Sequence, residues 1–131
     1  MFVEIHHTAD KAIYVESTTL EGLFYDSALG LIAISGIYPL INNQLYIENY
    51  EVNYDELEIL LIDFLNFLIF KLDLGYYLIN SKITFVSNFF KSINYFGKFK
   101  LRENYIKSAT FHKLQIVKQN NLYKANIIFD I

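Results

Sequence analysis

Residues 55–73 (DELEILLIDFLNFLIFKLD) constrain this chain more than any other stretch. Their apolar side chains run almost all the way round a helix. Glu56, Asp63, Asn66 and Asp73 fall within one narrow arc and leave only a thin wet edge. Such a helix cannot lie on a surface; it must sit between layers, or between a sheet and a partner. It is also no membrane span. From Leu57 to Leu72 the run is shorter than the roughly 20 residues a bilayer requires, and Glu58, Asp63 and Asn66 interrupt it. Asp55 is placed to cap the first turn, and Gly75 to stop the helix.

Strands must supply the layers around it. Residues 2–6 and 11–16 are rich in β-branched and aromatic types and read as two strands, joined by the polar link His7-Thr8-Ala9-Asp10. Thr18-Thr19-Leu20-Glu21 has the spacing of a capping box, with Thr18 as the cap. Leu20, Leu23, Phe24, Ala28, Leu31 and Ile32 then form the apolar stripe of a helix that Gly36 and Pro39 end. Residues 37–53 read as one or two strands around a turn at Asn42-Asn43. Tyr76 to Val86 reads as strand with a break at Asn80-Ser81, and residues 87–104 as short strands around Gly97. Ile106 to Lys118 alternates, with Ile106, Thr110, His112, Leu114 and Ile116 on one side. Gln119-Asn120-Asn121 turns the chain into a last strand from Leu122 to Ile131. The order predicts an α+β fold in one domain over residues 1–131, with mostly antiparallel sheets and two main helices.

Composition narrows the function. There is no cysteine, so disulfides, thiolate metal sites and cysteine nucleophiles are excluded, in keeping with a cytoplasmic protein. The amino-terminal residues lack the basic and apolar pattern of a signal peptide. Eleven basic against 14 acidic residues give a net charge of −3. Strong direct nucleic-acid binding draws on a basic surplus, so it is disfavoured, although a local basic patch is compatible with these numbers.

His6, His7 and His112 are the only histidines. Neighbours in a strand point to opposite faces, so His6 and His7 are poorly placed to share one zinc ion. No nucleophile elbow, phosphate loop or dinucleotide fingerprint is present, and nothing marks an enzyme. An excess of aromatic residues can serve a stacking platform for single strands, but alternating aromatics in strands are usually core. Asp10 lies in a link between strands, and Asp130-Ile131 offers a side-chain and a main-chain carboxylate together. Gathered in one place, these groups would suit Ca²⁺, Mg²⁺ or Mn²⁺. Sequence alone does not bring them together; an Asp10 that caps a turn and a solvated terminus are the alternative.

Four motifs in order carry a family resemblance. His7-Thr8-Ala9-Asp10 and Leu20-Glu21-x-Leu23-Phe24 match the opening of the archease family, which runs roughly E-x-x-D-H-T-A-D-[IV]-G-[IV] and then L-E-x-L-F. Residues 55–70 are similar to D-L-E-x-L-L-x-x-W-L-N-x-L-L, with Asp63, Leu65 and Asn66 in place and Phe64 for tryptophan. Residues 106–112 (IKSATFH) resemble I-K-A-x-T-Y-H, and the chain stops, as archeases do, at aspartate plus an aliphatic residue. His6 replaces the usual aspartate, Lys11-Ala12 an aliphatic-glycine pair, and Gly97-Lys98 stands for Gly-Glu. A lysine beside Asp10 can compete with a metal for that carboxylate.

The resemblance implies a non-catalytic accessory protein for a GTP-dependent, RtcB-type RNA-splicing ligase in tRNA splicing and RNA repair. It implies that one divalent cation, Ca²⁺ in vitro and Mg²⁺ or Mn²⁺ as candidates in the cell, is held by Asp10, Asp130 and the terminal carboxylate of Ile131. It implies promotion of ligase guanylylation. Two other classes stay open: a chaperone-like modulator of a tRNA methyltransferase, and a small metal-dependent hydrolase.

Overall fold

The computed structural model describes residues 1–5, 10–41 and 44–131. His6 and His7, and the turn expected at Asn42-Asn43, lie outside the described residues. In chain order the elements are β1 (Phe2–Ile5), β2 (Lys11–Ser17), α1 (Leu20–Ser35), β3 (Ile37–Pro39), β4 (Tyr46–Asn53), α2 (Leu57–Asp73), β5 (Tyr76–Val86), β6 (Phe89–Arg102), β7 (Ser108–Thr110), β8 (Val117–Gln119) and β9 (Leu122–Asp130). All pairing among them is antiparallel. The α+β architecture with two helices is therefore as the sequence predicts.

One sheet runs β1-β2-β9-β7, with β8 also on β9; the other gathers β3, β4 and β5 around β6. The two helices join the sheets. Helix α1 packs against β1 and β2 of the first and β5 of the second, and α2 against β5, β7 and α1. Leu60, Leu61, Phe64, Leu65, Leu68 and Leu72 of α2 are buried, as the between-layers reading requires. Its open edge keeps Asp63 and Asp73 exposed, along with Ile59 and Phe70. At Gly30 a β-carbon would come within 2.7 Å of the Ile13 side chain, so the glycine permits α1 to approach β2 closely.

Several boundaries differ from expectation, each for a local reason. Thr19, not Thr18, caps α1: its hydroxyl accepts the Gly22 N–H at 2.9 Å. Gly36 closes that helix at φ 63°, and Asn104 donates from its side chain to the Ile34 carbonyl at 2.9 Å. Asp55 does not cap α2; Glu56 occupies the cap position without a side-chain bond. Strands β3 and β4 pair with β6 rather than with each other. The break foreseen near Asn80 is a shift of register between Leu78 and Asn80 inside one strand. Residues 87–104 hold one long strand, β6, instead of short ones. The stretch from Ile106 to Lys118 is not one strand but β7 and β8, parted by a turn in which Leu114 N–H bonds to Phe111 C=O. Asn120 and Asn121, at φ 53° and 63°, make the two-residue hairpin turn between β8 and β9.

A part-buried ion pair ties α2 to β4. Lys71, 7% exposed, reaches Glu48 at 2.5 Å and the Tyr46 hydroxyl at 3.4 Å; Tyr46 also donates to Glu48. Burial disfavours both charges, yet the hydrogen bonds and mutual attraction outweigh it. Glu48 is thus held below its ordinary 4.5 and Lys71 above its ordinary 10.5. The carboxylate's contribution to stability is present above pH 4.5 and fades as pH falls through its lowered value. The ammonium's is present below pH 10.5 and fades as pH rises through its raised one. Glu48→Gln should cost roughly 1–2 kcal/mol at neutral pH, because Lys71 keeps its burial and loses its counter-charge. In thermal melts across pH the gap between the two proteins should shrink below pH 4.5; a gap that stays constant in acid would refute the pairing energy.

Candidate functional site

Asp10 and Asp130, singled out in the sequence, lie at one end of the five-stranded sheet. In the β2–β9 ladder the last rung sets Lys11 opposite Phe129. Asp10 and Asp130 each follow that rung by one residue, so the chain brings them side by side. Side chains alternate along β9: Ala125, Ile127 and Phe129 are buried, and Asp130 belongs to the outward set with Asn126 and Ile128. Continued by one residue, β2 puts Asp10 on that same outer face. Asp130 and Ile131 are exposed and Asp10 is half-buried.

Neighbours hold Asp130 on two sides. Its carbonyl accepts the Lys107 N–H at 2.8 Å, and its carboxylate accepts the Ser108 hydroxyl at 3.4 Å. Lys11, the residue able to compete for Asp10, sends its ammonium to Glu4 of β1 at 3.3 Å. Both aspartates offer only oxygen donors. Such a set fits a hard divalent cation that retains water in its remaining positions, and suits zinc poorly. Among the described residues no group of three His, Cys, Asp or Glu side chains is gathered anywhere. His112 is exposed in the turn after β7, beyond Thr110, and so is separated from Asp130 by the length of that strand.

The positioning roles of two residues escaped the sequence reading. Asn66 on α2 accepts the Ala109 N–H at 2.8 Å and donates back to the Ala109 carbonyl at 3.5 Å. It substitutes for a strand partner on β7 and thereby steadies the strand that carries Ser108 to Asp130. Glu58, in the first turn of the same helix, accepts the Ile116 N–H at 2.9 Å. The available signal was an amide and a carboxylate inside a largely buried helix, since polar groups there need partners.

The archease protein family (MTH1598/TM1083) matches residues 2–131. The chain belongs to the archease family. Among solved structures this archease resembles an archease from Thermotoga maritima (TM1083), described as a possible chaperone, at 23% identity and a TM-score of 0.71, over 97% of this chain and 94% of that one. It also resembles protein 1598 of Methanobacterium thermoautotrophicum, at 21% identity and a TM-score of 0.70, over 99% of this chain and 98% of that one. At such identities the likeness bears on the fold alone. No curated protein sequence matches. Phe64, at the motif's tryptophan position, is fully buried, so this archease keeps a large aromatic where the core needs one. Among the described residues no helix is long and apolar enough to cross a membrane.

Proposed function

We propose that this archease is a cytoplasmic accessory protein, without turnover of its own, that promotes guanylylation of a GTP-dependent RNA-splicing ligase in tRNA splicing and RNA repair. In this reading Asp10, Asp130 and the terminal carboxylate of Ile131 hold one divalent cation. The observation that supports it is the β2–β9 register, whose last rung, Lys11 opposite Phe129, leaves Asp10 and the exposed Asp130 one residue beyond it on the two strands. Bound there, the cation would supply positive charge near the phosphates handled by the ligase. The protein's own groups do the rest. Ser108 and Lys107 fix the orientation of Asp130, and Glu4 keeps the Lys11 ammonium occupied. The exposed position leaves the cluster accessible to a partner's active site.

Single-turnover guanylylation of a purified ligase of this type is the test. The wild-type chain should accelerate the step, and Asp130→Ala should remove most of that acceleration while melting at a similar temperature. Unchanged stimulation by the variant would refute the role. The description of the Thermotoga maritima relative as a possible chaperone supports a second reading, a chaperone-like modulator of a tRNA methyltransferase. That reading predicts suppression of methyltransferase aggregation that Asp130→Ala leaves intact.

A further inference from the structure

Strand β9 is paired with β2 over residues 123–129, but its other edge is shared between two short strands. β8 covers residues 122–124 and β7 covers residues 128–130, so Ala125, Asn126 and Ile127 have no strand partner on that side. The segment joining β7 to β8 passes this gap without a main-chain hydrogen bond to it. Its turn closes on itself through Leu114 and Phe111, and its Ile116 N–H goes to Glu58. At Lys113 the backbone takes φ 56°, in the left-handed region. A cavity of about 230 Å³ opens here, lined by Tyr14, Lys113, Gln115, Val117, Lys124 and Asn126.

The lining is rich in donors and lacks carboxylates. Among the described residues neither Lys113 nor Lys124 has an acidic partner within salt-bridge distance. Glu16 stands opposite Lys124 in the ladder, yet its carboxylate takes the Tyr14 hydroxyl at 2.9 Å. Gln115 and Asn126 add side-chain amides. The three open residues of β9 lie between β7 and β8, so an added strand would be blocked at both ends. A compact anion fits the opening better than a peptide. Two lysines act on such an anion as point charges, the mode by which lysine binds phosphate.

We propose that this notch is a binding site for a phosphate ester, with Lys113 and Lys124 as charged donors and the Gln115 and Asn126 amides as neutral ones. Asn126 and Asp130 share the outer face of β9, roughly 13 Å apart at the usual rise of a strand. The notch needs no cation at Asp10 and Asp130, so it stands or falls separately from the ligase reading. A free nucleotide and an RNA strand present the same phosphate chemistry, and the local positive charge coexists with the net −3 of the chain.

Amide NMR spectra of the full-length, ¹⁵N-labelled protein would test this with three probes: inorganic phosphate, a nucleoside monophosphate and a short single-stranded RNA. The expected result is saturable shifts of the Lys113, Gln115, Lys124 and Asn126 signals. In Lys113→Glu/Lys124→Glu binding should weaken by about tenfold or more, as expected for losing charge-assisted contacts. Lys113→Gln alone, at an exposed turn, should weaken it in the same direction without disturbing the fold. Equal affinity for all three probes would support a single-phosphate site. Tighter binding of the RNA would support a strand that tracks along the sheet. The proposal is overturned if none of the probes shifts those signals, if acetate shifts them equally, or if the shifts survive in the double variant.

Discussion

Phe90→Ala should lower the stability of this protein by about 3–5 kcal/mol, the cost of emptying a fully buried aromatic site. Phe90 is inaccessible to solvent and is the hub of an aromatic cluster. Its ring centroid lies 5.5 Å from Phe24 on α1, 5.3 Å from Phe64 on α2, 5.1 Å from Phe85 on β5 and 6.1 Å from Tyr50 on β4. One side chain of the central strand thus touches both helices and both strands flanking it. Edge-to-face contacts, such as those with Phe64 and Phe85, add about 0.5–1.5 kcal/mol per pair beyond the area buried. For a domain of this size the expected fall in melting temperature is roughly 10–20 °C. Urea denaturation followed by far-ultraviolet circular dichroism would measure it. A loss below about 1 kcal/mol would mean that the helices pack without this hub.

The second large effect concerns the carboxylate cluster. If it holds a cation as proposed, Asp10→Ala and Asp130→Ala should each weaken calcium binding by about tenfold or more, because affinity at oxygen sites follows the number of charged ligands. A tag fused after Ile131 should weaken it similarly, and a tag before Met1 should leave it nearly unchanged. Calorimetric titration reads the affinity directly. Melting provides an independent readout: a cation at 100 times its dissociation constant stabilises the native state by about 2.7 kcal/mol. That gain should vanish in the variants. Equal titrations for the two tagged forms would remove Ile131 from the ligand set, and unaltered binding by both alanine variants would remove the site.

Local patterns carried much of this architecture. The apolar girth of residues 57–73 demanded a helix between layers, and Leu23, Phe24, Ala28 and Leu31 marked the inner face of α1. Strand β6 was hidden by inverted polarity. Its inner face includes Ser92 and Asn94, both wholly buried, while Phe89, Lys91, Ile93 and Tyr95 are only half-buried on the other side. Asn94 is satisfied by the Ser81 and Ser92 hydroxyls and the Glu48 carbonyl, partners that no periodicity in residues 87–104 can display. The alternation of residues 106–118 misled in the opposite sense. Ile106, Ala109 and Leu114 are the buried members, and His112 is exposed, because the left-handed turn at Lys113 breaks the strand. At α1 two adjacent threonines compete for the cap. The Ser17 hydroxyl, at 3.4 Å from the Thr19 N–H, fits the arrangement in which Thr19 is the cap.

The meeting of Asp10 with Asp130 is a different kind of problem. It depends on which distant strand pairs with β2, and no local pattern encodes that choice. The pairing of β2 with β9 became readable only in the assembled sheet. Asn66 was visible as a motif residue, but its task of holding Ala109 could be read only once α2 and β7 were seen together.

The β2–β9 ladder has a kinetic corollary. Nearly the whole chain lies between its two strands, so forming it closes the largest loop in the molecule, and contacts of such range are entropically expensive to make early. β1, β7 and β8 reach the sheet only through those two strands. Refolding should therefore complete this sheet late, with Asp10 and Asp130 arriving together at the end. If the site takes a cation as proposed, a fluorescent lanthanide there would time the last step of folding rather than its first collapse.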